Sequence, residues 1–205
     1  MDGVSQDALR RINSAVCSHY TYRGVRCLKN PFDLALYQML ITREQIRCVI
    51  EIGSAYGGSA IWFADQLALN DVSPFVISVD LKPPDGVQQQ GVYFRQGDAL
   101  DLVSVFPGAM TMLPRPLLVI EDAAHTYACT TAVLDFFRDK LVPGDYMVVE
   151  DGIVHDLGMK QHADGPRRAT RDFLKRHKGF EVDRFYCDFF GPNVTWNPDG
   201  YLKRV

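Results

Sequence analysis

The 205-residue sequence has no run approaching the ~20 consecutive apolar residues that a membrane-spanning helix needs. It has no CxxC pair, and its five cysteines (Cys17, Cys27, Cys48, Cys129, Cys187) are odd in number and widely spaced. Neither a disulfide framework nor a zinc cluster is therefore expected, and the cysteines read as reduced, mostly buried thiols. Nor is there an excess of positive charge. Lys and Arg number 22 against 25 Asp and Glu, a formal net charge of −3. Nucleic acid and anionic membrane surfaces are thus not the expected partners. Met1 to Arg11 carries acids and bases before any apolar run, unlike a secretory leader, and a cytoplasmic protein is expected. Internal repeats and low-complexity tracts are also missing.

What is present is enough apolar sequence, 47% of residues, for one substantial core. We read residues 1–205 as one domain, with an N-terminal helical cap over 1–45. From Cys48 onward, short β-branched runs alternate with segments of helical period, the pattern of an α/β fold with a mainly parallel sheet. Strands are expected at Cys48–Ile52, Phe75–Val79, Val92–Arg95, Pro116–Ile120, Tyr146–Val149, Phe180–Cys187 and Trp196–Val205. Helices are expected at Asp7–Tyr20, Pro31–Ile41, Ser59–Leu69, Leu100–Phe106, Tyr127–Leu141 and Ala169–His177. The stretch from Gly152 to Arg168 reads as a lid loop.

The first strand runs into Glu51-Ile52-Gly53-Ser54-Ala55-Tyr56-Gly57-Gly58-Ser59 and then into an apolar helix, so a glycine-rich turn and a helix N-terminus face the carboxyl edge of the sheet. The spacing is neither GxGxxG nor that of a P-loop. Glu51 would repel a pyrophosphate but can hold the ammonium of an amino-acid moiety, such as that of S-adenosylmethionine; alternatively it caps the turn. Asp80, at the end of the second strand, suits the two ribose hydroxyls of an adenosine ligand, a need that NAD shares. After Gly97, Asp98 either reaches an adenine amino group or caps the next helix.

Two further strands end in paired acids, Glu121-Asp122 and Glu150-Asp151, which would crowd carboxylates at one sheet edge. Protons or a cation must offset their repulsion, and an oxygen-rich set suits Mg²⁺ or a similar hard ion. Solvated caps are the alternative. Strand alternation points Glu121 away from Asp122. Arg167 and Arg168 read as a solvated pair at a helix start.

The loop resembles the donor loop of catechol O-methyltransferases. With Lys29-Asn30-Pro31-Phe32-Asp33-Leu34, Asp122-Ala123-Ala124-His125, Gly144–Asp151 and Asn193–Arg204, the chain is similar over about residues 25–205 to the cephalosporin hydroxylase/methyltransferase family, which includes the cephamycin methoxylation enzyme and sugar O-methyltransferases. The resemblance implies a Rossmann-like fold, a mainly parallel seven-stranded sheet with an antiparallel C-terminal strand and helices on both faces. It implies methyl transfer from S-adenosylmethionine to a small-molecule hydroxyl, aided by Mg²⁺ or a similar cation. Glu51, Gly53, Tyr56 and Ser59 would surround the methionine part of the donor together with Ser54. Asp80 would hold the ribose, Asp98 beside Gly97 the adenine, and Asp122, also next to the donor, would ligate the cation with Glu150 and Asp151. His125 stands where catechol-type relatives often carry a basic lysine, and is either the base or a structural histidine. Two other readings stand beside this one: an NAD-dependent oxidoreductase and a non-catalytic S-adenosylmethionine binder. The N-terminal helices are candidate contacts for a homo-oligomer.

Overall fold

In the computed structural model all residues are described except 2, 109, 163 and 164. Among the described residues seven strands form one sheet: β3 (Cys48–Ile52), β4 (Val76–Asp80), β5 (Val92–Gln96), β6 (Leu117–Glu121), β7 (Tyr146–Val149), β8 (Phe180–Val182) and β9 (Tyr201–Arg204). Their order is β5-β4-β3-β6-β7-β9-β8, with β9 alone antiparallel to its neighbours. The strand order reverses between β3 and β6, which opens a crevice at their carboxyl ends.

Alternation along each strand sorts residues to the two faces. Ile50, Ile52, Val119 and Val149 pack on one face with α4 (Leu102–Val105), α5 (Tyr127–Arg138) and α6 (Gly165–Arg176). Val49, Leu118, Ile120 and Val148 pack on the other, with α2 (Pro31–Arg43) and α3 (Gly58–Leu69). The helix α1 (Gln6–His19) lies apart, packing Leu9 and Val16 with Ile153 and Trp196. Local chemistry sets the helix starts. Asn30 accepts from the Phe32 amide before Pro31, and Thr126 accepts from the Cys129 amide. Among the described residues no helix is long and apolar enough to cross a membrane.

The structure departs from the sequence reading at several places. The run Phe180–Cys187 is not one strand: after β8, Asp183 accepts from the Phe185 amide and starts a short helix, α7 (Arg184–Asp188). The run Trp196–Val205 pairs only from Tyr201, because the buried Asp33 carboxylate holds Thr195 and the Trp196 amide out of the sheet. Residues 152–168 are not a continuous loop. They contain short 3₁₀ turns at Gly152–Val154 and Lys160–His162, and α6 already begins at Gly165, so Arg167 and Arg168 lie within it. A small hairpin of β1 (Thr21–Tyr22) and β2 (Val25–Arg26) had no sequence reading. It turns on Arg23-Gly24, both at positive φ.

Glu121 follows the alternation toward α5, where its carboxylate accepts from the Thr130 hydroxyl at 2.9 Å. Burial pushes its pKa up to about 7. The native state then keeps a proton that the unfolded chain releases near its ordinary value, so this contribution is full below about pH 4.5 and is lost as pH rises through 7. A shift of that size corresponds to about 3 kcal/mol. Glu121→Gln keeps an acceptor for Thr130 and carries no charge. Its unfolding midpoint should exceed wild type at pH 8 and converge with it near pH 5; midpoints that differ equally at both pH values would exclude this linkage.

Candidate active site

The donor loop is built by close approach. Gly53, at φ +111°, stands where an added Cβ would lie 2.0 Å from the Asp122 carbonyl oxygen. At Gly58, opening α3, a Cβ would lie 2.2 Å from the Arg26 carbonyl oxygen. Gly57 supplies the turn at φ +87°. The loop is tied to β4 by Asp80, whose Oδ2 accepts from the amides of Ser54 (2.9 Å) and Ala55 (3.0 Å). Its Oδ1 accepts from the Lys82 amide. Ser54 also shares a 2.6 Å hydrogen bond with Ser78.

Above this loop lies a cavity of about 640 Å³ at the carboxyl ends of β3, β4 and β6. Gly53, Ser54, Tyr56, Ser59, Asp80, Gly97, Asp98, Asp122, His125 and Asp151, all expected at the site, line it. Tyr56 is exposed, with the Arg26 guanidinium over its ring at 4.1 Å. Asp98 makes a local turn, accepting from the Leu100 amide, while Asp101 caps α4. Gly97 is close-packed under Val79 and Val105.

The two remaining expected residues lie elsewhere. Glu51 is fully buried below the cavity, where Oε2 accepts from Ser78 at 2.6 Å and Oε1 has no hydrogen-bond partner among the described residues. Burial raises its pKa. Glu150 continues the β7 alternation toward α2, accepting from the Tyr37 hydroxyl at 2.6 Å and Lys29 Nζ at 2.8 Å. Asp151 does not follow it: at φ +56° the chain swings this carboxylate to the cavity.

The result is a donor group of Asp122, His125 and Asp151, each able to place one ligand atom within 4.8 Å of the others. His125 stands at φ +52°, with Nε2 3.3 Å from Asp151 Oδ2 and Nδ1 buried without a hydrogen-bond partner among the described residues. Burial, ahead of the lowering effect of His125, pushes the Asp151 pKa up to about 6. Half-buried acids and an imidazole with an unused nitrogen, opening on a cavity, fit a divalent cation that takes oxygen and nitrogen ligands. The geometry brings Asp122, His125 and Asp151 together and joins Glu150 to Asp122 through Lys29.

Sequence reasoning missed a role for Lys29. This lysine is only 2% exposed, and its Nζ meets Asp122 Oδ2 at 2.5 Å and Glu51 Oε1 at 3.8 Å as well as Glu150. Burial alone would lower its pKa, but the three acids outweigh that and hold it well above the usual lysine value. With one ammonium for three acids, burial and Asp122 still push Glu150 upward. The cavity wall also takes Ile153, Val154, Leu157 and Met159 from the stretch read as a lid, and Trp196 from the run read as the closing strand. The Trp196 Nε1 is buried without a partner among the described residues.

A family model described as Rhamnosyl O-methyltransferase/CmcI matches residues 14–205. The rhamnosyl O-methyltransferase of Mycobacterium leprae (strain TN) is 31% identical over 193 residues, covering 90% of this chain and 82% of that protein. That of Mycobacterium bovis (strain BCG / Pasteur 1173P2) is 30% identical over 141 residues, 66% of this chain and 58% of the relative. Among solved structures, CmcI with Mg and SAM superimposes with a TM-score of 0.70 at 26% identity, over 92% of this chain and 77% of that one. MycE in complex with Mg and SAH, at 18% identity and a TM-score of 0.52 over 82% of this chain and 47% of that one, shares the fold.

Proposed function

The chain belongs to the Rhamnosyl O-methyltransferase/CmcI family and is an S-adenosylmethionine-dependent O-methyltransferase; on that footing we propose a small-molecule acceptor hydroxyl and a divalent cation beside it. One observation carries the proposal: the donor loop and the group Asp122, His125 and Asp151 line the same cavity, joined where Gly53 abuts the Asp122 backbone.

In this reading Gly53, Ser54, Tyr56 and Ser59 surround the methionine part of the donor, while Asp80 faces the ribose and Asp98 beside Gly97 the adenine. Glu51 supports the loop from below, through Ser78 and Lys29, without lining the cavity. Asp122 and Asp151 hold the cation with His125 adjacent, and Glu150 braces that edge. A bound Mg²⁺ or similar ion would lend positive charge to the acceptor oxygen and lower its pKa. The protein's own tasks are to align the hydroxyl oxygen with the sulfonium methyl and to receive the proton. His125 lines the cavity with Nε2 3.3 Å from Asp151 Oδ2, which puts an imidazole nitrogen where it can take that proton. Ile153, Val154, Leu157, Met159 and Trp196 give the cavity an apolar wall that would keep water from the reacting groups. The apolar wall suits a ring-bearing acceptor of natural-product, sugar or phenolic type.

Calorimetry with S-adenosylhomocysteine should show donor-site binding that survives EDTA. Turnover on a panel of phenols, sugars and antibiotic intermediates should vanish in EDTA and return with Mg²⁺. Turnover that persists under full chelation would remove the cation from the reaction. Donor binding with no transfer to any acceptor, and no effect of Asp122→Ala on output, would favour a non-catalytic binder.

A further inference from the structure

Lys29 stands where a second cation would otherwise be needed. The segment that carries it, just before the Asn30 cap of α2, runs beneath the cavity. The helix that follows adds Tyr37 to Glu150 and Asp33 to the closing segment, so α2 clamps the carboxyl edge at three points. Lys29 supplies the positive charge among them. Its ammonium touches the donor-loop acid Glu51, the cavity acid Asp122 and the bracing acid Glu150 at once. Asp122 therefore belongs to two sets: it is a partner of Lys29 and a member of the group with His125 and Asp151. Without a cation, three acids brought to one buried edge would repel one another at low effective dielectric.

We propose that Lys29 is the resident cation of this site, a positioning residue that assembles the acids before any metal arrives and that, by sharing Asp122 with the metal, weakens metal binding. The inference rests on the reading of Asp122 as a metal-binding residue. Two consequences follow from charge alone. The folded site of the native protein does not depend on a divalent ion, because the ammonium already offsets the acids. Removing the ammonium raises the negative charge facing the metal, so a variant without it binds the ion more tightly and leans on it for stability.

The test uses Mg²⁺ alone as the probe, with thermal unfolding and calorimetry on wild type, Lys29→Met and the double variant Lys29→Met/Glu150→Gln, in which one unbalanced acid is also removed. The wild-type midpoint should rise with Mg²⁺ only by what binding to the folded state dictates, about 3–6 °C at tenfold excess over its Kd. Lys29→Met should lose about 10 °C or more in EDTA and recover most of it with Mg²⁺, with a Kd for Mg²⁺ at least about tenfold tighter than wild type. If Lys29→Met does not fold in EDTA, the same readings are taken on the double variant. A lower midpoint with unchanged or weaker Mg²⁺ affinity would reduce Lys29 to structural packing. So would failure of both variants to fold in Mg²⁺, because a cation should replace a cation. If wild type takes up no Mg²⁺, the metal reading itself fails and this inference with it. If wild type binds Mg²⁺ and both variants match it, this inference alone fails.

Discussion

Replacing Gly53 by alanine should weaken S-adenosylhomocysteine binding by at least about 100-fold and destabilise the protein by about 2–4 kcal/mol. The added methyl has nowhere to go. Its position lies 2.0 Å from the Asp122 carbonyl oxygen and 2.5 Å from the carbonyl carbon, both backbone atoms. Neither side can yield cheaply, because the Gly53 amide donates to the Val79 carbonyl at 2.7 Å and the Asp122 amide donates to the Ile52 carbonyl at 2.8 Å. The backbone value of φ +111° adds strain that an alanine does not relieve. Any shift that makes room moves the donor loop away from Asp122, so the donor site and the cavity acids should suffer together. Gly86→Ala is the control. It also stands at positive φ, +73°, but its Cβ would meet nothing within 4 Å, so it isolates the conformational part, about 1 kcal/mol. Equal losses in the two variants, by calorimetry and denaturant unfolding, would show that the close approach carries no weight.

That contact also marks where reading the sequence stops. Glycines at 53, 57 and 58 between a β-branched strand and an apolar helix announce a ligand-binding turn, because so few residues tolerate such a backbone. Strand alternation likewise placed Glu121 opposite Asp122, and the structure puts it on Thr130. The same rule should have warned about Glu150. It is the next residue on the face shared by Tyr146 and Val148, and it points to Tyr37; only the left-handed turn at Asp151 escapes the alternation. A positive φ at an aspartate leaves no mark in composition or period. Lys29 was invisible for a different reason. Its partners lie in or just past three strands, 22, 93 and 121 residues further along the chain, and no local pattern records so distant a pairing. The closing segment failed in the same way. Trp196–Gly200 has the aromatic and polar mixture of a strand end, but the Asp33 carboxylate captures it from α2. Local chemistry was legible; what single buried charges do across the fold was not.

His125→Gln should lower kcat/KM by about 10²–10⁴-fold while leaving S-adenosylhomocysteine affinity within about threefold of wild type. Glutamine reaches a similar distance and can still hydrogen-bond Asp151, but it cannot take a proton from a hydroxyl. The imidazole can, and it lines the cavity with Nε2 3.3 Å from Asp151. Wild-type kcat/KM should therefore fall toward acid pH, where a base no longer takes the proton, and the variant should lose that limb. Asp151 supplies the competing explanation, since burial pushes its pKa up to about 6 and its protonation would also depress activity on the acid side. The two are separable by substitution. If the acid limb survives in His125→Gln and disappears in Asp151→Asn, the titrating group is the carboxylate and His125 serves to orient it. If His125→Gln flattens the limb and its activity does not recover with more Mg²⁺, the loss lies in proton transfer, which places the acceptor hydroxyl within reach of the imidazole.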